Sequence, residues 1–125
     1  MSATILVVED NYDMSQLMAR LFDQFEGVKV ITAKDGVEGL KRAEVENPSL
    51  IITDLQMPRL NGIEMIKKIR AHPQLREIPI LVLSAYADEN TVAAIKAGAD
   101  GVLDKTRHFD LLLRLVRDVL HPRVA

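Results

Sequence analysis

Four short apolar runs in this 125-residue chain end in side chains suited to one kind of chemistry. Glu9 and Asp10 close the first, Asp54 another, Ser84 a third, and Asp104-Lys105 follow the last. Carboxylates brought close together repel, and each then resists ionising. A hard divalent cation relieves that cost, and Mg²⁺ suits it because it takes oxygen ligands and keeps several waters. Beside such a metal a carboxylate can act as a nucleophile toward phosphorus. A lysine and a hydroxyl can hold phosphoryl oxygens as charge builds in the transition state. Each residue alone has a plainer reading: a helix cap for the acids, a turn hydroxyl for Ser84, a surface charge for Lys105. Together they fit phosphoryl transfer to an aspartate, if the fold brings them to one place.

The elements that must do so follow from hydrophobic periodicity. Ile5–Val8, Val28–Thr32, Leu50–Thr53, Ile80–Leu83 and Gly101–Leu103 are short and rich in β-branched residues, as buried strands are. Between them lie helical patterns. Asp13–Phe25 carries Met14, Leu17, Met18, Leu21, Phe22 and Phe25 on one face, with Asp13 placed to cap it and Gly27 to end it. Asp35–Glu46 closes at Asn47-Pro48. Asn61 can cap a helix through Ile63, Ile66 and Ile69 that Pro73 stops. Further helices run from about Asp88 to Ala97 and from Phe109 to Leu120. Alternation of strand and helix at this spacing predicts an α/β fold with a parallel sheet covered on both faces by five helices. The suggested strand order, 2-1-3-4-5, is that of known doubly wound domains of flavodoxin-like type and is not read from the residues. In such sheets chemistry sits at the carboxyl ends of the strands, where the four runs end.

Composition narrows the classes of function. One domain is expected for 125 residues, with its core at about residues 4–120 and no effector domain, either as a protein that acts by binding a partner or as a piece of a larger regulator. A formal net charge of −2 gives no electrostatic reason to expect nucleic acid or membrane as a partner. With no cysteine, disulfides and thiolate chemistry are excluded, and a cytoplasmic location is the expectation. The first apolar run is too short for a signal peptide or a membrane span.

At this point the sequence resembles the receiver domains of two-component response regulators, the CheY-like fold. The likeness spans Thr4 to about Leu120 and is carried by ILVVEDN, LIITDLQMPRLNGIEMIKKIR, IPILVLSA and GADGVLDK. It implies that Asp54 is the phospho-acceptor and that Glu9 and Asp10 bind Mg²⁺, with Mn²⁺ able to substitute. Asp10 and Asp54 would be direct ligands, Glu9 would act through water, and the backbone carbonyl of Gln56 would be a further ligand. Ser84 and Lys105 would contact the phosphoryl group. The donor would be a phosphohistidine on a histidine kinase or a histidine phosphotransfer protein, docked on the first helix, whose outward residues are expected to include Ser15, Gln16, Arg20 and Asp23. Such a protein catalyses only its own phosphorylation and dephosphorylation, and its output is a changed contact with a downstream protein partner.

Two positions depart from the family pattern. Val102 stands where many receivers have Tyr or Phe, and cannot offer a ring that alternates between buried and exposed. Thr106 stands where many have proline, and its peptide bond should be trans. Tyr86, two residues after Ser84, can shield the phosphoryl group from water or be a plain loop aromatic. In the last helix, Phe109, Leu112, Val116 and Leu120 are expected in the core. Leu111 and Leu115 form an extra apolar shoulder, read either as covered by the neighbouring helix or as a homodimer contact. His72, His108 and His121 sit singly near helix ends or prolines and read as surface or capping residues.

Three rival readings share features with this one. A flavodoxin-like cofactor binder needs a Ser/Thr/Gly-rich loop after the first strand, but EDNYD stands there. A haloacid-dehalogenase-type phosphatase needs a second aspartate two residues after the nucleophile, where Gln56 stands. A receiver-like module that is never phosphorylated is opposed by the intact acid pair, acceptor, hydroxyl and lysine, and kept open by Val102 and Thr106.

Overall fold

The computed structural model describes residues 3–55, 60–84, 89–104 and 109–120, apart from the side chains of Glu89, Asn90 and Phe109. The elements alternate strictly: β1 (Ala3–Val8), α1 (Tyr12–Asp23), β2 (Val28–Ala33), α2 (Gly36–Glu46), β3 (Leu50–Asp54), α3 (Gly62–Ala71), β4 (Ile80–Ser84), α4 (Glu89–Ala97), β5 (Gly101–Asp104) and α5 (Phe109–Leu120). All pairings are parallel, and the order is β2-β1-β3-β4-β5.

Alternate residues of each strand point to opposite faces of a sheet, and here both faces are apolar. Leu6, Val8, Ile51, Ile80 and Val82 pack with Ala43 of α2, Met65, Ile66 and Ile69 of α3, and Ala94 of α4. Ile5, Val7, Leu50, Ile52, Leu81, Leu83 and Leu103 pack with Met18 and Phe22 of α1 and Leu112 and Val116 of α5. Each fully buried Leu, Ile or Phe contributes about 1.5–3 kcal/mol of transfer free energy. Burial on both sides explains why the strands read as continuous apolar runs.

Several local expectations need correction. Asn11, not Asp13, caps α1: its side chain accepts from the Met14 N–H at 3.0 Å, so the helix starts one residue earlier. The helix ends at Asp23, before Phe25, and Gly27 lies in the turn beyond it with φ 75°. Ser15, expected outward, is buried, while Leu17, expected inward, is 48% exposed. The apolar arc of α1 therefore faces the sheet along Ser15, Met18 and Phe22. In α5, Leu115 packs against the second core cluster and only Leu111 stays exposed, so the expected shoulder is narrower.

Other expectations hold. The Asn61 side chain accepts from the Glu64 N–H at 2.9 Å. α3 stops at Ala71, and His72, the residue before Pro73, is extended at ψ 125°, as proline demands of its predecessor. His72 is a capping residue: its Nδ1 accepts from Gln74 N–H, and Nε2 lies 3.5 Å from Glu44. His108 and His121 lie outside the described residues.

Candidate functional site

The register brings the expected residues to one edge. Val8 pairs with Thr53, which sets Glu9 and Asp10 beside the end of β3. Asp54 pairs with Leu83, so Ser84 stands one residue beyond the strand neighbour of Asp54, and Ser84 pairs in turn with Asp104. Parallel strands in this order place the ends of β1, β3, β4 and β5 on the same rim.

Three carboxylates converge there. One oxygen each from Glu9, Asp10 and Asp54 lies within 4.8 Å of the others. Their burial is graded: Glu9 is buried, Asp54 half-buried and Asp10 exposed. Glu9 is held by backbone on both sides, through its own N–H to Ala33 O at 2.9 Å and by accepting from Asn11 N–H at 3.3 Å. Asp54 is oriented by its chain neighbours. Leu55 N–H donates to Asp54 Oδ1 at 2.7 Å, and the Thr53 hydroxyl donates to the Asp54 carbonyl at 2.7 Å. Three anionic oxygens this close suit a hard cation with oxygen ligands. The donor set therefore fits a divalent ion bound by carboxylates.

A model of the response regulator receiver domain matches residues 5–117. The chain belongs to the response regulator receiver domain family. It is 45% identical over 100 residues to hybrid signal transduction histidine kinase D of Dictyostelium discoideum, covering 80% of this chain and 6% of that protein. It is 40% identical over 106 residues to the alkaline phosphatase synthesis transcriptional regulatory protein PhoP of Bacillus subtilis, covering 84% of this chain and 43% of that one. The receiver thus spans less than half of either relative. Among solved structures, the chemotaxis protein CheY4 of Vibrio cholerae superposes with a TM-score of 0.86 at 31% identity, over 95% of this chain and 99% of that one. The Mn²⁺-bound form of response regulator Rcp1 superposes with a TM-score of 0.80 at 26% identity, over 98% and 97% of the two chains.

The receiver's remaining expected site residues divide in two. Val102 is partly buried and packs against the core cluster under α2, α3 and α4. Gln56, Tyr86, Lys105 and Thr106 lie outside the described residues. Sequence reasoning missed Thr53 and Leu55, which orient Asp54; a hydroxyl immediately before the strand-end aspartate was the only available signal. It also missed the backbone partners of Glu9, which no spacing announces. Among the described residues, no helix of the receiver is long and apolar enough to cross a membrane.

Proposed function

We propose that this receiver accepts a phosphoryl group on Asp54 from a phosphohistidine and signals through protein contacts. The observation that carries the reading is the convergence of Glu9, Asp10 and Asp54 at the carboxyl edge of the sheet. Asp10 and Asp54 would hold a divalent ion directly, Glu9 would act through water, and the Gln56 carbonyl would complete the set. Bound there, Mg²⁺, or Mn²⁺ such as response regulator Rcp1 binds, would neutralise charge on the phosphoryl oxygens. An Asp54 carboxylate oxygen bonds to phosphorus, the P–N bond to the donor imidazole breaks, and that imidazole takes up a proton. Ser84 and Lys105 hold the phosphoryl oxygens. Attack of water on phosphorus then releases phosphate and restores the carboxylate. Tyr86 screens the path of that water, and Val102 changes how the site reports to the surface. The protein turns over no other substrate.

The donor protein, a histidine kinase or histidine phosphotransfer protein, docks on α1. A depression of about 350 Å³ there is lined by Tyr12, Asp13, Gln16, Leu17 and Arg20, next to Asp10. Tyr12 is 74% exposed, and together with Leu17 it offers an apolar patch beside the acids. Buried Ser15 takes no part. Downstream contact, or a second copy of the receiver, would use Leu111 on α5. The reading places this receiver in the cytoplasm, with residues 1–125 forming one receiver domain.

Incubation with Mg²⁺ and acetyl phosphate, followed by intact-mass measurement, tests the chemistry. The expected result is a gain of one phosphoryl group that disappears in Asp54→Asn. A wild-type chain that gains no mass in any divalent ion would overturn it, and would favour the silent module instead.

A further inference from the structure

The segment from Leu55 to Leu60 carries the chain from the acceptor's strand toward α3, and backbone holds both of its ends. At its start, Gly62 N–H donates to Leu55 O at 2.9 Å. At its end, the Leu60 carbonyl accepts from Gly36 N–H at 3.0 Å. Gly36 is the first residue of α2, and the first N–H groups of a helix have no partner within it. Asp35 Oδ1 serves the Glu38 N–H, and Leu60 O serves that of Gly36. A helix that gives no residue to the carboxylate cluster thus grips the exit of the acceptor's loop.

The same corner of the chain holds the other half of the site. Ala33 O, at the end of β2, accepts from Glu9 N–H. Residues 33–36 therefore hold the acid pair through one backbone bond and the acceptor loop through another. This double hold requires bare backbone. A Cβ on Gly36 would fall 2.2 Å from Leu60 O and 2.9 Å from Leu60 C. A Cβ on Gly62 would fall 2.4 Å from Asp54 O and 2.8 Å from Leu55 Cα. These are backbone atoms, so no rotamer change relieves the overlap, and loop or helix must shift. Gly39, one turn further along α2, differs. A Cβ there meets side chains, Met65 Sδ at 2.8 Å and Val8 Cγ2 at 3.0 Å.

We infer that Gly36 is a positioning residue for the chemistry at Asp54. Acting through the Leu60 carbonyl, and with Gly62 holding Leu55 from the other side, it fixes Leu55 and Leu60 at the edge of the sheet that carries Glu9, Asp10 and Asp54. The inference rests on the reading of Asp54 as a metal-assisted acceptor.

Comparing wild type, Gly36→Ala and Gly39→Ala by calorimetric titration with Mg²⁺, urea unfolding and phosphorylation by acetyl phosphate tests it. Gly36→Ala is expected to weaken Mg²⁺ binding by about 10–100-fold, as loss of an outer support does. Its phosphorylation is expected to slow by up to about 10²-fold. Gly39→Ala is expected to lower the unfolding midpoint while keeping the wild-type Mg²⁺ affinity. Wild-type affinity in Gly36→Ala, or an equal loss in Gly39→Ala, overturns the assignment. Should Gly36→Ala not fold, amide exchange in the wild-type protein decides: bound Mg²⁺ is expected to slow exchange at Gly36, and an unchanged rate overturns the inference. A wild type that binds Mg²⁺ but takes no phosphoryl group defeats the acceptor reading alone, while one that binds neither defeats both.

Discussion

The backbone N–H of Leu55 donates to Asp54 Oδ1 over 2.7 Å, so the residue after the proposed acceptor fixes the rotation of its carboxylate. The Thr53 hydroxyl meanwhile ties down the Asp54 carbonyl. A carboxylate oriented by its own chain neighbours has less ordering left to do before the proposed reaction, and positioning of this kind is a large part of phosphoryl-transfer catalysis.

Asp54→Asn keeps an oxygen for the Leu55 N–H and removes one charge from the cluster. In a chelator it is expected to unfold at a urea concentration no lower than wild type. Asp54→Ala leaves the N–H without that acceptor and is expected to lose about 1–3 kcal/mol. Equilibrium urea unfolding of the two variants side by side checks the ordering; equal stabilities would count against the orienting bond.

Divalent ions should stabilise the folded chain, since they bind the converged carboxylates and not the unfolded chain. At a free Mg²⁺ concentration a hundred times its Kd, the gain is about 2.7 kcal/mol. Asp10→Asn is expected to gain less from Mg²⁺, yet to be at least as stable as wild type in chelator, because one of three close negative charges is gone. Thermal melts in Mg²⁺ and in chelator measure both halves of this prediction.

Arg70 is a separate structural clamp. Its Nε donates to Gly98 O, its Nη1 to Arg76 O and Ile78 O, and its Nη2 to Asp100 Oδ2, all between 2.7 and 2.9 Å. Asp100 Oδ2 also accepts from Ile80 N–H at 2.8 Å. One guanidinium thus joins α3, the start of β4, the end of α4 and the approach to β5. Arg70→Lys offers one point donor where a planar fork is used, so it should rescue little. Both Arg70→Ala and Arg70→Lys are expected to cost about 2–3 kcal/mol in urea unfolding. Full stability in the lysine variant would argue against the fork geometry.

Capping of α1 gives a sharp contrast. Asn11→Ala is expected to cost about 1 kcal/mol, since the Met14 N–H loses its partner. Asp13→Ala, in the exposed first turn of α1, should change stability by less than about 0.5 kcal/mol. A larger loss for Asp13→Ala in thermal melts would restore the capping role read from its spacing.

Much of this fold was legible in the residues because each signal is local. Strands buried on both faces must be continuous apolar runs, and helices must show their period, so all ten elements could be placed within a few residues. The acids at the ends of β1 and β3 were legible for the same reason: a charged residue closing an apolar run marks the edge of the sheet. The wrong cap on α1 came from reading Asp13 alone; the extended backbone at Asn11 (φ −80°, ψ 114°), which spacing does not reveal, is what makes Asn11 the cap.

The sequence by itself determined the alternation of strand and helix and the chemical inventory at the strand ends, because period and residue type are properties of neighbours along the chain. Tertiary structure decided what depends on the approach of distant segments. Periodicity measures the width of an apolar arc but not which of its edges meets the sheet, so only packing could bury Ser15 and leave Leu17 in water. Spacing is equally silent on Arg70 and Asp100, thirty residues apart. It is silent, too, on the close backbone approach of Gly36 to Leu60, which depends on the start of α2 lying beside the residues that lead into α3. The convergence of Glu9, Asp10 and Asp54 belongs to both: their places in the chain follow from the sequence, and the distance between their oxygens follows from the register of β1 against β3.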